Sequence, residues 1–113
     1  MKLLTNITDD PHQEHIIQLD AGIEITINLK FLMNQQIWLL DVEYKDQTKT
    51  GFKLSLGVQH INNINWPFDF AILDTDNSGI DPFKVNDFSS GRIELYLIEP
   101  VELASLRGYS VEI

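Results

Sequence analysis

The chain has 113 residues, 43% of them hydrophobic, a net charge of −9 and a sequence pI near 4.5. That length suits one domain with a single core, residues 1–113, and the acidic balance argues against binding nucleic acid or an anionic membrane, which need clustered Lys and Arg. The absence of cysteine excludes disulfide frameworks, thiolate zinc sites and Cys nucleophiles.

The first ten residues, MKLLTNITDD, hold only a two-leucine apolar run. A secretory signal needs a longer apolar core, so none is expected. No apolar run approaches the ~20 residues of a membrane span. The first strand is expected over Glu14–Leu19, with Asp20-Ala21-Gly22 closing a hairpin. Ile23, Ile25, Ile27, Leu29 and Phe31 then alternate with Glu24, Thr26, Asn28 and Lys30, the period of a strand with one wet face. Trp38, Leu40, Val42 and Tyr44 form the apolar face of the next strand. Lys45–Thr50 is read as a polar turn, and Phe52, Leu54, Leu56 and Val58 as the alternating face of its hairpin partner.

Asn62, Asn63, Asn65 and Pro67 interrupt the pattern. Phe68, Phe70 and Ile72 resume it. Residues 74–91 form a long polar connection, with Phe83, Val85 and Phe88 available to pin it down; loops this long in small domains are uncommon and often functional. Ile93–Ile98 is a strongly apolar strand ended by Pro100. Pro100 to Gly108 has the signals of two helical turns, and the closing YSVEI alternates as an edge strand would. The sum is an all-β fold: a single antiparallel β-sandwich or small β-barrel with at most a short C-terminal helix.

Three sets of residues carry the spacing of chemistry only in part. Asp74, Asp76, Ser78 and Gly79 resemble the start of a calcium loop, but its twelfth position is Val85, where a bidentate Glu is required. His12, Glu14 and His15 lack the HExxH spacing, and His60 stands alone. Asp41 and Glu43 share one strand face, about 7 Å apart, as a glycosidase pair can be, but on what reads as a wet face. We therefore expect no catalytic residues, no metal site, no cofactor and no enzymatic activity. Trp66 and Phe68, flanking Pro67, and Phe83 and Phe88 in the long connection are the expected partner contacts, because exposed aromatics anchor interfaces.

Four stretches, in this order, resemble the baseplate plug proteins of tailed phages: PHQEHIIQLDAGIEITINL, IWLLDVEY, GFKLSLG and ILDTDNSGIDPFKVNDFSSGRIELYLI. They span roughly residues 11–99. The resemblance implies a structural protein of the central baseplate of a phage tail or a phage-derived tail-like particle. Such a protein is made in the host cytoplasm and closes or links the distal tail tube. Its implied partners are hub, tube and wedge proteins in a symmetric multi-copy assembly, with no direct nucleic-acid binding and no membrane insertion. The alternatives are a free-standing β-sandwich module that binds carbohydrate or calcium, and an inhibitor or immunity-type domain.

Overall fold

The computed structural model describes residues 2–19, 22–58, 61, 66–100 and 102. Eight strands run in chain order: β1 (Lys2–Leu3), β2 (His12–Gln18), β3 (Glu24–Leu32), β4 (Ile37–Tyr44), β5 (Gln47–Lys53), β6 (Gly57–Val58), β7 (Asp69–Asp74) and β8 (Ile93–Ile98). They make two antiparallel sheets, ordered β2-β3-β4-β5 and β1-β8-β7-β6, packed together as a sandwich. The all-β expectation holds. The short helix and the closing strand expected from the sequence lie almost wholly outside the described residues. So do His60 and two of the three hairpin residues, Asp20 and Ala21.

The first sheet is a meander whose register follows the alternation directly. Ile25 faces Tyr44, Ile27 faces Val42, Leu29 faces Leu40 and Phe31 faces Trp38 across β3 and β4. Ile25, Ile27, Leu29, Trp38, Leu40 and Val42 are all buried, while Glu24 and Glu43 on the other face are exposed. The second sheet meets that surface with Phe70 and Ile72 of β7 and Ile93, Leu95 and Leu97 of β8. One core therefore fills the space between the sheets; on the outer face of the second sheet Ala71 and Ile98 are buried as well, with Tyr96 packed against them. No helix among the described residues is long and apolar enough to cross a membrane.

The structure corrects the reading of residues 45–58. The β4–β5 turn is only Lys45–Asp46, and β5 begins at Gln47. Its inward positions, Gln47 and Lys49, lie opposite Tyr44 and Val42 but are polar and exposed, so no alternation is visible there. A bulge opposite Asp41 then shifts the phase. Gly51 sits in it at φ 79°, a left-handed conformation suited to glycine, and its N–H donates to Asp41 Oδ1 at 2.8 Å. After the bulge Phe52 and Leu54 turn inward again. The alternation that continues through Val58 is not one strand: the chain leaves the first sheet after Lys53 and joins the second at Gly57. That crossing seals one side of the sandwich. The opposite side is spanned by the segment between β1 and β2.

Candidate functional site

The connection between β7 and β8, residues 75–92, is ordered by one cation. All five N–H donors of a guanidinium find acceptors at Arg92. Nε donates to Asp87 Oδ1 at 2.9 Å, and one terminal nitrogen donates to Ser78 Oγ at 3.2 Å and the Ile80 carbonyl at 3.1 Å. The other donates to the Asp81 carbonyl and to Asp87 Oδ2, each at 3.0 Å. The Asp87 carboxylate is buried and also accepts the N–H groups of Phe83 at 2.7 Å and Lys84 at 2.8 Å. Burial acts to raise its pKa, but the hydrogen bonds from Arg92, Lys84 and Phe83 outweigh that and hold it below the ordinary Asp value. The same pairing, led by the Asp87 hydrogen bond, raises Arg92.

The loop is also fastened at its base and to the core. Thr75 N–H donates to the Arg92 carbonyl at 2.7 Å, and Thr75 Oγ1 donates to the Gly91 carbonyl at 2.6 Å, so the two ends meet. Trp38 Nε1–H donates to the Lys84 carbonyl at 3.0 Å, and Phe88 packs edge-on against the Trp38 ring at 5.3 Å. Leu56 N–H donates to Asp81 Oδ1, which ties the loop to the β5–β6 crossing. What this builds is a preformed surface. It carries exposed Ile80, half-buried Phe83 beneath Arg92, and the carboxylates of Asp76 and Asp81.

The residues expected to contact partners are placed differently from one another. Trp66 and Phe68 are 1% and 0% exposed, stacked at 5.3 Å in an aromatic row with Tyr44 and Phe70. Phe88 is buried against Trp38. The exposure on which their expected role rested is therefore absent in this chain. Pro67 breaks the strand pattern without turning the flanking rings outward. Gln47 Oε1 accepts the Trp66 Nε1–H at 2.8 Å, and Lys49 lies over its ring, which accounts for the polar inward positions of β5. Of the four, Phe83 alone keeps a substantial part of its ring at the surface.

The partial metal and acid–base patterns are dispersed into structural bonds. Asp74 Oδ2 accepts Gly79 N–H, and Asp76 Oδ1 accepts Ser78 N–H and Oγ–H. Among the described residues no three His, Asp or Glu side chains are grouped to hold a metal ion. His15 is half-buried beside Gln13 Oε1 at 2.8 Å, and burial lowers its pKa; His12 is exposed. Asp41 pairs with Lys30 Nζ at 2.9 Å. Burial would raise its pKa, but the bonds from Lys30 and Gly51 N–H leave it lowered.

A second surface was not legible in the sequence. Between the segment 2–7 and β2 lies an open groove of about 200 Å³, with Leu3, Leu4, Ile7, Ile17 and Ile27 among its walls. β2, an outer strand, forms one of those walls with His15, Ile16, Ile17 and Gln18, and its Ile16 is 63% exposed. No protein-family profile matches the chain, and no curated protein matches it.

Proposed function

We propose that this chain is a structural component of the central baseplate of a phage tail or tail-like particle, working by assembly and not by turnover. It closes or links the distal tube and meets hub or tube proteins through the surface of the 75–92 loop. The observation that supports this best is the way the loop's polar groups are spent. Arg92 and Asp87 saturate each other and the surrounding backbone, which makes a long loop rigid before any partner arrives. A preformed surface keeps the ordering cost of association low. Ile80 and Phe83 on that surface give a partner apolar anchors within a rim of mixed charge, Asp76, Asp81, Lys53 and Lys84.

The order of the four stretches that resemble the plug family adds to this reading. They fall on β2–β3, on β4, on the β5–β6 crossing, and on β7, the loop and β8. The acidic charge suits a protein beside a DNA conduit, which it would repel.

The test is mass spectrometry of purified particles from a host carrying the gene intact, deleted, or altered as Ile80→Asp. The reading expects the chain in mature particles, incomplete baseplates on deletion, and reduced incorporation for Ile80→Asp. Met33→Asp alters an even more exposed apolar side chain in the β3–β4 turn and should incorporate normally. Particles that mature fully without the chain would overturn the reading.

A further inference from the structure

A sandwich has four outer strands, and three of them here are protected against pairing with another chain. β1 and β6 are two residues each. β5 carries Lys49 and Lys53 and is bent by the bulge at Gly51. Short edges, lysines and bulges are the usual means of blocking edge-to-edge contact. β2 has none of them. It runs seven residues in unbroken register with β3, without Lys or Pro, and it exposes an isoleucine, Ile16, at 63%.

The hydrogen-bond phase of that edge follows from its two ends. Phe31 N–H donates to the Pro11 carbonyl and Leu19 N–H to the Ile23 carbonyl. Odd-numbered residues of β2 thus bond inward to β3, and the N–H and C=O of Glu14, Ile16 and Gln18 point to the open side. Among the described residues nothing pairs with them. His12, at the start of the strand, has its N–H taken by Asp10 Oδ1 at 3.0 Å, which limits the open stretch to 14–18.

We infer that this edge pairs with the same edge of a second copy of this chain, antiparallel about a twofold axis at Ile16, to make one continuous eight-stranded sheet. The side chains select that occupant and that alignment. With Ile16 opposite Ile16 of the second copy, the exposed apolar side chains cover each other and Glu14 faces Gln18. Moving the axis to Glu14 sets two carboxylates opposite each other, and moving it to His15 sets each Ile16 against a Glu14. The stretch 14–18 carries Glu14 as its one full charge, since burial favours the neutral form of His15. A basic partner strand therefore has little to recognise on it. This inference stands on the edge alone: a monomer that still enters particles would end it and leave the proposed function untouched.

The test is sedimentation of the purified full-length chain from micromolar to sub-millimolar concentration. The weight-average mass should rise from 13.0 kDa towards twice that value. Because each copy carries −9, added salt should strengthen the association by screening repulsion, where an ionic contact would weaken. Ile16→Lys should weaken it at least about tenfold, and Met33→Lys should leave it unchanged. The chain has no cysteine, so single substitutions report alignment cleanly. Ile16→Cys should be joined to itself by a short bis-maleimide faster than Glu14→Cys or Gln18→Cys. A chain that stays monomeric at sub-millimolar concentration overturns the inference. So does a dimer indifferent to Ile16→Lys, or Glu14→Cys cross-linking as fast as Ile16→Cys.

Discussion

Replacing Asp87 with Asn removes one negative charge from a carboxylate that accepts two bonds from Arg92 and two from the backbone. The amide keeps one oxygen and sets an N–H₂ group against donors at the other, so at least one donor loses its acceptor whichever way the amide turns. Arg92 also loses the charge that offsets its desolvation. Breaking a buried ion pair from one side costs about 3–5 kcal/mol. The Arg92 side chain retains 17% exposure, so the lower end, about 3 kcal/mol, is the expected loss. For a domain of this size that corresponds to a fall in Tm of roughly 10 °C or more, and to a sizeable share of a total stability of about 5–15 kcal/mol. Urea unfolding followed by Trp fluorescence measures it, and hydrogen exchange should show amides of residues 83–93 losing protection first. Asp76→Asn is the control, since Asp76 lies 3.8 Å from Arg92 on the outside of the loop, and it should move the midpoint little. A loss below about 1 kcal/mol for Asp87→Asn, the size of a surface pair, would show that the loop is held by its core contacts alone.

The acid limb of stability should carry the same signature. Asp87 and Asp41 both have pKa values lowered on folding from the ordinary 3.8. Their contribution is complete above that value and is lost as pH falls through the lowered folded values. Urea midpoints measured from pH 6 down to 2.5 should therefore fall more steeply below about pH 4 for the unaltered chain than for Asp87→Asn; parallel curves would refute the linkage. Gly51→Ala meets no neighbouring atom, so its cost is the left-handed backbone alone, about 1–2 kcal/mol. Gly51→Asn should cost less, and a neutral Gly51→Ala in thermal unfolding would mean that the bulge relaxes.

Strands β3 and β4 were legible because each has one face in the core and a wetter polar face, and β8 because Ile93, Leu95 and Leu97 alternate toward the core. Their apolar positions at 25–31, 38–44 and 93–97 state the register outright. β5 was hidden for the converse reason. Its inward residues Gln47 and Lys49 serve the rim of Trp66, so the strand is polar on both faces. The alternation at 52–58 misled because a chain can keep period 2 while changing sheets. The loop clamp left no trace in periodicity: Arg92 and Asp87 are five residues apart, and most of their bonds go to backbone atoms of no particular residue type. Trp66 and Phe68 were misplaced by their neighbour, since Pro67 signals irregular backbone and says nothing of depth. The β2 edge could have been noticed by asking which strands lack lysine, proline and a bulge, a question about neighbours that needs the strand order.

The pairing of β1 with β8 joins Lys2 to Leu97 and Leu3 to Tyr96. The four strands of the other sheet, by contrast, are linked in sequence by short turns and can form by local zippering. Loop-closure entropy delays contacts between distant residues. On a ribosome the meander can therefore assemble while β7 and β8 are still unmade, and β1 must wait until β8 has emerged. Its docking is expected to be the last step of folding and the first to reverse. Pulse-labelled hydrogen exchange during refolding should show Leu4 N–H, which bonds the Leu95 carbonyl at 2.9 Å, protected after Ile27 and Val42; earlier or simultaneous protection would contradict this order.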